Sequence, residues 1–119
     1  MGDSKKIVLI EDQETWRFIY RCWLKDIKDV TVSAEFEMAE DALDQMEKIA
    51  PDVAIVDISL PGMSGLDFVK KAHQFPGLKV ILVSGFEKTD LCNADLCGLE
   101  IYFKGNTAAL YDAIVEVTR

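Results

Sequence analysis

Residues Asp52 to Gly65 read DVAIVDISLPGMSG. Val53, Ile55 and Val56 are β-branched and apolar, the composition of a strand covered on both faces. Pro61-Gly62 and Ser64-Gly65 are turn chemistry and end the run. Asp57 stands at the strand's end. An isolated buried carboxylate is costly, so an apolar strand seldom closes on one without a use for it. In open parallel sheets, ligands gather beyond the carboxyl ends of the strands. Asp57 is therefore the first candidate for chemistry, and the flanking chain is read for partners to it.

Upstream, Lys6 to Ile10 (KIVLI) is a short buried strand that ends in Glu11-Asp12. Trp16, Ile19, Tyr20, Trp23, Leu24 and Ile27 then recur at helical spacing, with Asp12 or Gln13 at the helix start. Val30 to Ala34 is a second strand. Ala39, Ala42, Leu43, Met46 and Ile49 mark a second amphipathic helix, ended by Pro51. Downstream, Leu66, Val69, Ala72 and His73 lie along a third helix, stopped near Pro76-Gly77. His73 reads as a helix-end residue rather than a ligand. Lys79 to Val83 is a fourth strand, ending in Ser84-Gly85. Glu87 to Asp95 is a short fourth helix. Leu99 to Phe103 is a fifth strand, ending in Lys104-Gly105. Leu110, Tyr111, Ile114 and Val115 form the last helix, with Asn106 or Thr107 as N-cap. Alternating strands and helices predict an α/β fold: a five-stranded parallel sheet, order 2-1-3-4-5, doubly wound with five helices and right-handed crossovers, as in flavodoxin-like proteins.

The chain has 119 residues, which predicts one domain over 1–119. Half of the residues are hydrophobic and 29% are charged, a globular balance. The net charge is −8 and the sequence pI about 4.5. That argues against direct nucleic-acid binding, which needs clustered cations, and suits a divalent cation. No apolar run approaches the roughly 20 residues of a membrane span. MGDSKK is no signal peptide, and Lys6 stands where a myristoylation signal wants Ser or Thr. Three cysteines without a secretion signal suggest reduced thiols in a cytoplasmic protein. Cys22, Cys92 and Cys97 read as small, partly buried side chains; their spacing and the single histidine make no zinc site.

The polar residues at the strand ends form a set. The first strand presents Glu11 and Asp12, the third Asp57, the fourth Ser84, the fifth Lys104. In the predicted order these strands are neighbours, so the side chains converge on one pocket. Singly, each has an ordinary structural role: an N-cap acid, a solvated Asp, a turn Ser, a surface Lys. Together they make coherent chemistry. Three carboxylates suit a hard cation such as Mg²⁺. A carboxylate can attack phosphorus to form an aspartyl phosphate. A hydroxyl and an ammonium, Ser84 and Lys104, would steady the transferring group. Gly85 leaves room for a phosphoryl oxygen to meet backbone N–H groups.

The segments KIVLIED, DVAIVDISLPGMSGLDFVK, VILVSG and FKG, in this order and spacing, resemble a response-regulator receiver domain, the CheY-like module of two-component signalling. The resemblance spans almost the whole chain. It implies that Glu11, Asp12, Asp57 and the Ser59 carbonyl hold Mg²⁺ or Mn²⁺. It implies that Asp57 takes a phosphoryl group from a histidine kinase or histidine phosphotransfer protein. Ser84 and Lys104 then engage the phosphoryl group, with the backbone amides of Ile58, Ser59 and Gly85. Output is expected through Ile101, Tyr102 and Phe86, on a surface made of the fourth helix, fifth strand and fifth helix. DISLPGMSGLD is similar to regulators with a C-terminal helix-turn-helix domain, so an effector domain outside this chain is one expectation, a separate output protein another. Homodimerisation on phosphorylation is a further one. Gly105 departs from the proline common in the family, and Ile101 from its switch aromatic. Ser59 and Phe86 occupy positions that influence phosphate lifetime in the family.

Two rivals are weighed. Phosphatases with an aspartate nucleophile want a second acid two residues on, and Ser59 stands there. A receiver-like docking or dimerisation module with little phosphorylation-dependent switching would leave the pocket unused; the complete set of Glu11, Asp12, Asp57, Ser84 and Lys104 weighs against it. The chain is thus expected to accept a phosphoryl group and lose it slowly, not to act as a dedicated enzyme.

Overall fold

The computed structural model describes residues 4–85 and 100–119. The strands are β1 (Lys5–Ile10), β2 (Val30–Phe36), β3 (Val53–Asp57), β4 (Lys79–Ser84) and β5 (Ile101–Phe103). The helices among the described residues are α1 (Glu14–Lys25), α2 (Ala39–Ile49), α3 (Gly65–Ala72) and α4 (Thr107–Val117). The helix expected over Glu87 to Asp95, Phe86, and Cys92 and Cys97 lie outside the described residues. The sheet is parallel throughout with order β2-β1-β3-β4-β5, as the sequence predicts.

Strand alternation sorts the apolar side chains into two layers. Ile7 and Leu9 of β1, Val53 and Ile55 of β3, and Ile81 and Val83 of β4 pack on one face with Tyr20 and Leu24 of α1 and Leu110 and Ile114 of α4. Val8, Ile10, Ala54, Val56 and Leu82 face the other way, onto Ala39, Ala42 and Met46 of α2 and Phe68 and Ala72 of α3. Both faces of the inner strands are therefore dry, which explains their unbroken apolar runs. β5 obeys the same alternation. Ile101 packs towards the α2–α3 layer and Tyr102 towards the α1–α4 layer.

The helix starts are built differently. Ser64 caps α3 by accepting a hydrogen bond from the Asp67 amide at 3.2 Å, and Asn106 caps α4 by accepting from Ala109 at 3.2 Å. Gln13 occupies the N-cap of α1 with no side-chain cap. That end is pinned instead by Arg17, whose guanidinium donates to the Glu11 carbonyl at 2.6 Å. α2 ends at Ala50 in the left-handed region (φ 49°), with its N–H on the Met46 carbonyl at 2.7 Å, just before Pro51. Cys22, expected to be partly buried, is exposed on α1. Among the described residues, no helix is long and apolar enough to cross a membrane.

Candidate functional site

The pocket lies at the carboxyl ends of β1, β3, β4 and the turn after β5. Glu11, Asp57, Ser84 and Lys104 are all buried there, at 1%, 4%, 0% and 8% exposure. Pairing explains why the fold tolerates them. Lys104 Nζ donates to Asp57 Oδ2 at 2.7 Å and lies 2.8 Å from Glu11 Oε1. The second Asp57 oxygen, Oδ1, accepts the Ser59 amide at 2.8 Å. Glu11 Oε2 accepts the Gln13 amide at 3.2 Å. The tight turn after β3 depends on Gly65, whose N–H donates to the Ile58 carbonyl at 3.0 Å. A Cβ at Gly65 would come within 2.3 Å of the Asp57 carbonyl oxygen, so only glycine lets α3 start this close to Asp57.

Carboxylate oxygens of Glu11, Asp12 and Asp57 lie within 4.8 Å of one another, and Asp12 is the most accessible of the three. One ammonium faces three carboxylates, which leaves an excess of negative charge. Burial, opposed by Lys104 and reinforced by the Asp57 charge, pushes the Glu11 carboxyl up to about 7. Burial works against the Lys104 ammonium, but Asp57 and then Glu11 outweigh it and hold its proton more tightly than in free lysine. Glu11 Oε1 is buried and makes no aligned hydrogen bond, although Lys104 Nζ lies 2.8 Å away. Three carboxylates gathered around a single ammonium fit a hard divalent cation.

The structure thus brings together Glu11, Asp12, Asp57 and Lys104, with the Ser59 amide on Asp57, and buries Ser84 at the end of β4, its carbonyl accepting the Lys104 amide at 2.8 Å. It differs at one expected phosphate donor. The Ile58 amide is committed to the sheet, donating to the Val83 carbonyl at 2.9 Å. Gly85 is exposed, and no described atom lies within 4 Å of where its Cβ would be. At Gly105, the ring of Phe103 covers the position, with atoms 2.2 and 2.4 Å from an added Cβ. Sequence reasoning missed Trp16, assigned only to the apolar face of α1. Its ring lies under Lys104 Nζ, 5.2 Å from the centroid. Its place one helical turn after Asp12 is the signal that could have found it.

The sequence profile of the response regulator receiver domain matches residues 7–98, and the chain belongs to that family. A protein-glutamate methylesterase/protein-glutamine glutaminase of Rhizobium etli is 30% identical over 101 residues, covering 85% of this chain and 29% of that protein. The response regulator UvrY of Escherichia coli is 34% identical over 79 residues, covering 66% of this chain and 36% of that protein. The matches thus span about a third of these curated relatives. Among solved structures, a LuxR-family DNA-binding response regulator from Staphylococcus aureus aligns with a TM-score of 0.77 and 25% identity, over 97% of this chain and 99% of that one. The isolated receiver domain of RcsB from Salmonella enterica serovar Typhimurium shares the fold, with a TM-score of 0.82 and 21% identity over 96% and 87%.

Proposed function

We propose that residues 1–119 form one receiver domain that switches by phosphorylation of Asp57. The observation that carries this reading is a buried carboxylate at a strand end, paired to Lys104 at 2.7 Å, with two further acids beside it. The donor is a histidine kinase or histidine phosphotransfer protein. An Asp57 oxygen forms the new O–P bond as the P–N bond to the donor imidazole breaks, and the imidazole leaves with that electron pair. Glu11, Asp12, Asp57 and the Ser59 carbonyl would hold Mg²⁺ or Mn²⁺. The cation, when bound, offsets phosphoryl negative charge.

The chain's own groups do the rest. Lys104 supplies a fixed positive charge to a phosphoryl oxygen, and Ser84 its hydroxyl. The Ser59 amide, now on Asp57 Oδ1, and the Gly85 amide are the backbone donors. Drawing Ser84 and Gly85 inward would alter β4 beside β5, where Ile101 and Tyr102 pack against opposite layers. Output through Ile101, Tyr102 and Phe86 would reach a C-terminal effector domain or a separate protein, and a second phosphorylated copy is a candidate partner. The chain acts here as a phosphoacceptor, not a dedicated enzyme.

Intact mass after incubation with acetyl phosphate and Mg²⁺ tests the assignment. The expected result is one phosphoryl group, absent in Asp57→Asn and in the presence of a chelator. A phosphorylated Asp57→Asn protein overturns it.

A further inference from the structure

Lys104 has a partner that is not an acid. Its Nζ stands over the face of Trp16, 5.2 Å from the ring centroid, while it touches Asp57 Oδ2 at 2.7 Å and Glu11 Oε1 at 2.8 Å. An ammonium within about 6 Å of an aromatic face is attracted by the ring quadrupole, most strongly on tryptophan. Lysine carries its charge on a flexible four-carbon stem, so carboxylates alone leave it several ways to approach them.

We propose that Trp16 is a positioning residue that seats the Lys104 ammonium over the pocket, so that its charge is in place before a phosphoryl group arrives. The proposal rests on the reading of Asp57 as phosphoacceptor. Of the partners of Lys104, Asp57 changes charge and shape when it is modified. The indole face does not.

The indole is itself held. Trp16 packs against Tyr20 with centroids 5.8 Å apart at 42°. Tyr20 meets Trp23 edge-on at 6.0 Å, and Trp23 meets Tyr111 of α4 edge-on at 5.6 Å. Tyr20 is 1% exposed, and its hydroxyl has no hydrogen-bond partner among the described residues. Tyr20 therefore contributes its ring. An aromatic row runs from the pocket along α1 to α4, and Trp16 is its pocket end.

A tryptophan that merely covers the core of α1 would make the same ring contacts, so the test reads the lysine. The full chain is compared with Trp16→Phe and Trp16→Leu. The first measurement is the proton shift of the Lys104 ε-methylene, which a ring face moves upfield. The second is the phosphorylation rate at saturating acetyl phosphate and Mg²⁺. We expect an upfield Lys104 signal in the unaltered protein, reduced in Trp16→Phe and lost in Trp16→Leu. We expect the rate to fall about threefold to thirtyfold in Trp16→Leu, the range a cation–π contact spans, and to recover in large part in Trp16→Phe. The acetyl phosphate concentration for half-maximal rate should stay unchanged. An ordinary Lys104 shift in the unaltered protein overturns the proposal whether or not the variants fold. So does an unchanged rate in Trp16→Leu. If the unaltered protein takes no phosphoryl group at all, the proposed function falls and the kinetic role falls with it, while the Lys104 shift still decides whether the indole seats the ammonium.

Discussion

At the scale of single residues, Glu11 shows what burying an acid among like charges does to its titration. It is 1% exposed, and its Oε1 has a cation beside it but no hydrogen bond. Its carboxyl titrates near 4.5 when unfolded and near 7 when folded, raised first by burial. Between those values the folded chain holds more protons than the unfolded one, so the contribution of Glu11 to stability falls as pH rises from about 4.5 to about 7 and is level above that. The metal-free protein, unfolded by urea across this window, should therefore lose stability relative to Glu11→Gln as pH increases. The difference between the two proteins isolates the group. A difference that does not change with pH, or that changes in the other direction, removes Glu11 as the source. That Glu11 belongs to the pocket was legible in the sequence, from its place at a strand end. That it would be more buried than Asp57 was not, because this depends on long-range contacts: β2 and α1 hold its backbone, the Phe36 carbonyl accepting the Glu11 amide at 2.9 Å and Arg17 donating to its carbonyl at 2.6 Å.

At the scale of elements, the connection from β3 to α3 sets where Asp57 sits. Ser64 caps the helix, and Gly65 lets its first turn press on the backbone of Asp57 and Ile58. In Gly65→Ala the new methyl would meet the Asp57 carbonyl oxygen at 2.3 Å, and backbone, unlike a side-chain tip, has nowhere easy to go. The expected cost is about 1–3 kcal/mol of stability, as for other overpacked sites, with slower phosphorylation because Asp57 is displaced. Gly85→Ala, where the added methyl meets no described atom within 4 Å, serves as the contrast and should be close to neutral in stability. Urea midpoints of the two variants check this; equal losses would mean that crowding at Gly65 is not what matters. Both glycines were legible as turn or pocket residues. Only the packed structure distinguishes them, since one is pressed between a helix and a strand end and the other meets no such crowding among the described residues.

At the scale of the whole molecule, the acids, the lysine and the sheet act as one thermodynamic unit. An ion that binds the folded pocket and not the unfolded chain stabilises by mass action, by about 2.7 kcal/mol at a hundred times its dissociation constant. Mg²⁺ should therefore raise the melting temperature. Asp12→Asn should blunt that rise, because it removes one of the three carboxylates. It should also raise the melting temperature without metal, because it removes one of three like charges around a single ammonium. Calorimetry with and without Mg²⁺ reads both effects; an Asp12→Asn protein with the full metal response would show that Asp12 is not a ligand.

What the sequence alone determined here is the order and character of the elements, and through them the pocket. Alternating apolar runs and amphipathic helices admit few topologies, and parallel strands must place their carboxyl ends on one edge. Asp57, Ser84, Lys104 and the Glu11-Asp12 pair share that edge because each ends or follows a strand in chain order, a property local to the sequence. The tertiary structure alone decided who pairs with whom. Lys104 lies 47 residues from Asp57 along the chain, yet its hydrogen bond goes there, while Glu11 keeps only an ionic contact. The Ile58 amide turned to Val83 rather than to the pocket, and Trp16 came to lie under an ammonium of the opposite end of the chain. These outcomes depend on angles and distances of a few ångströms between elements distant in sequence. Periodicity places a residue on a face, but only the packing of one face against another sets those distances.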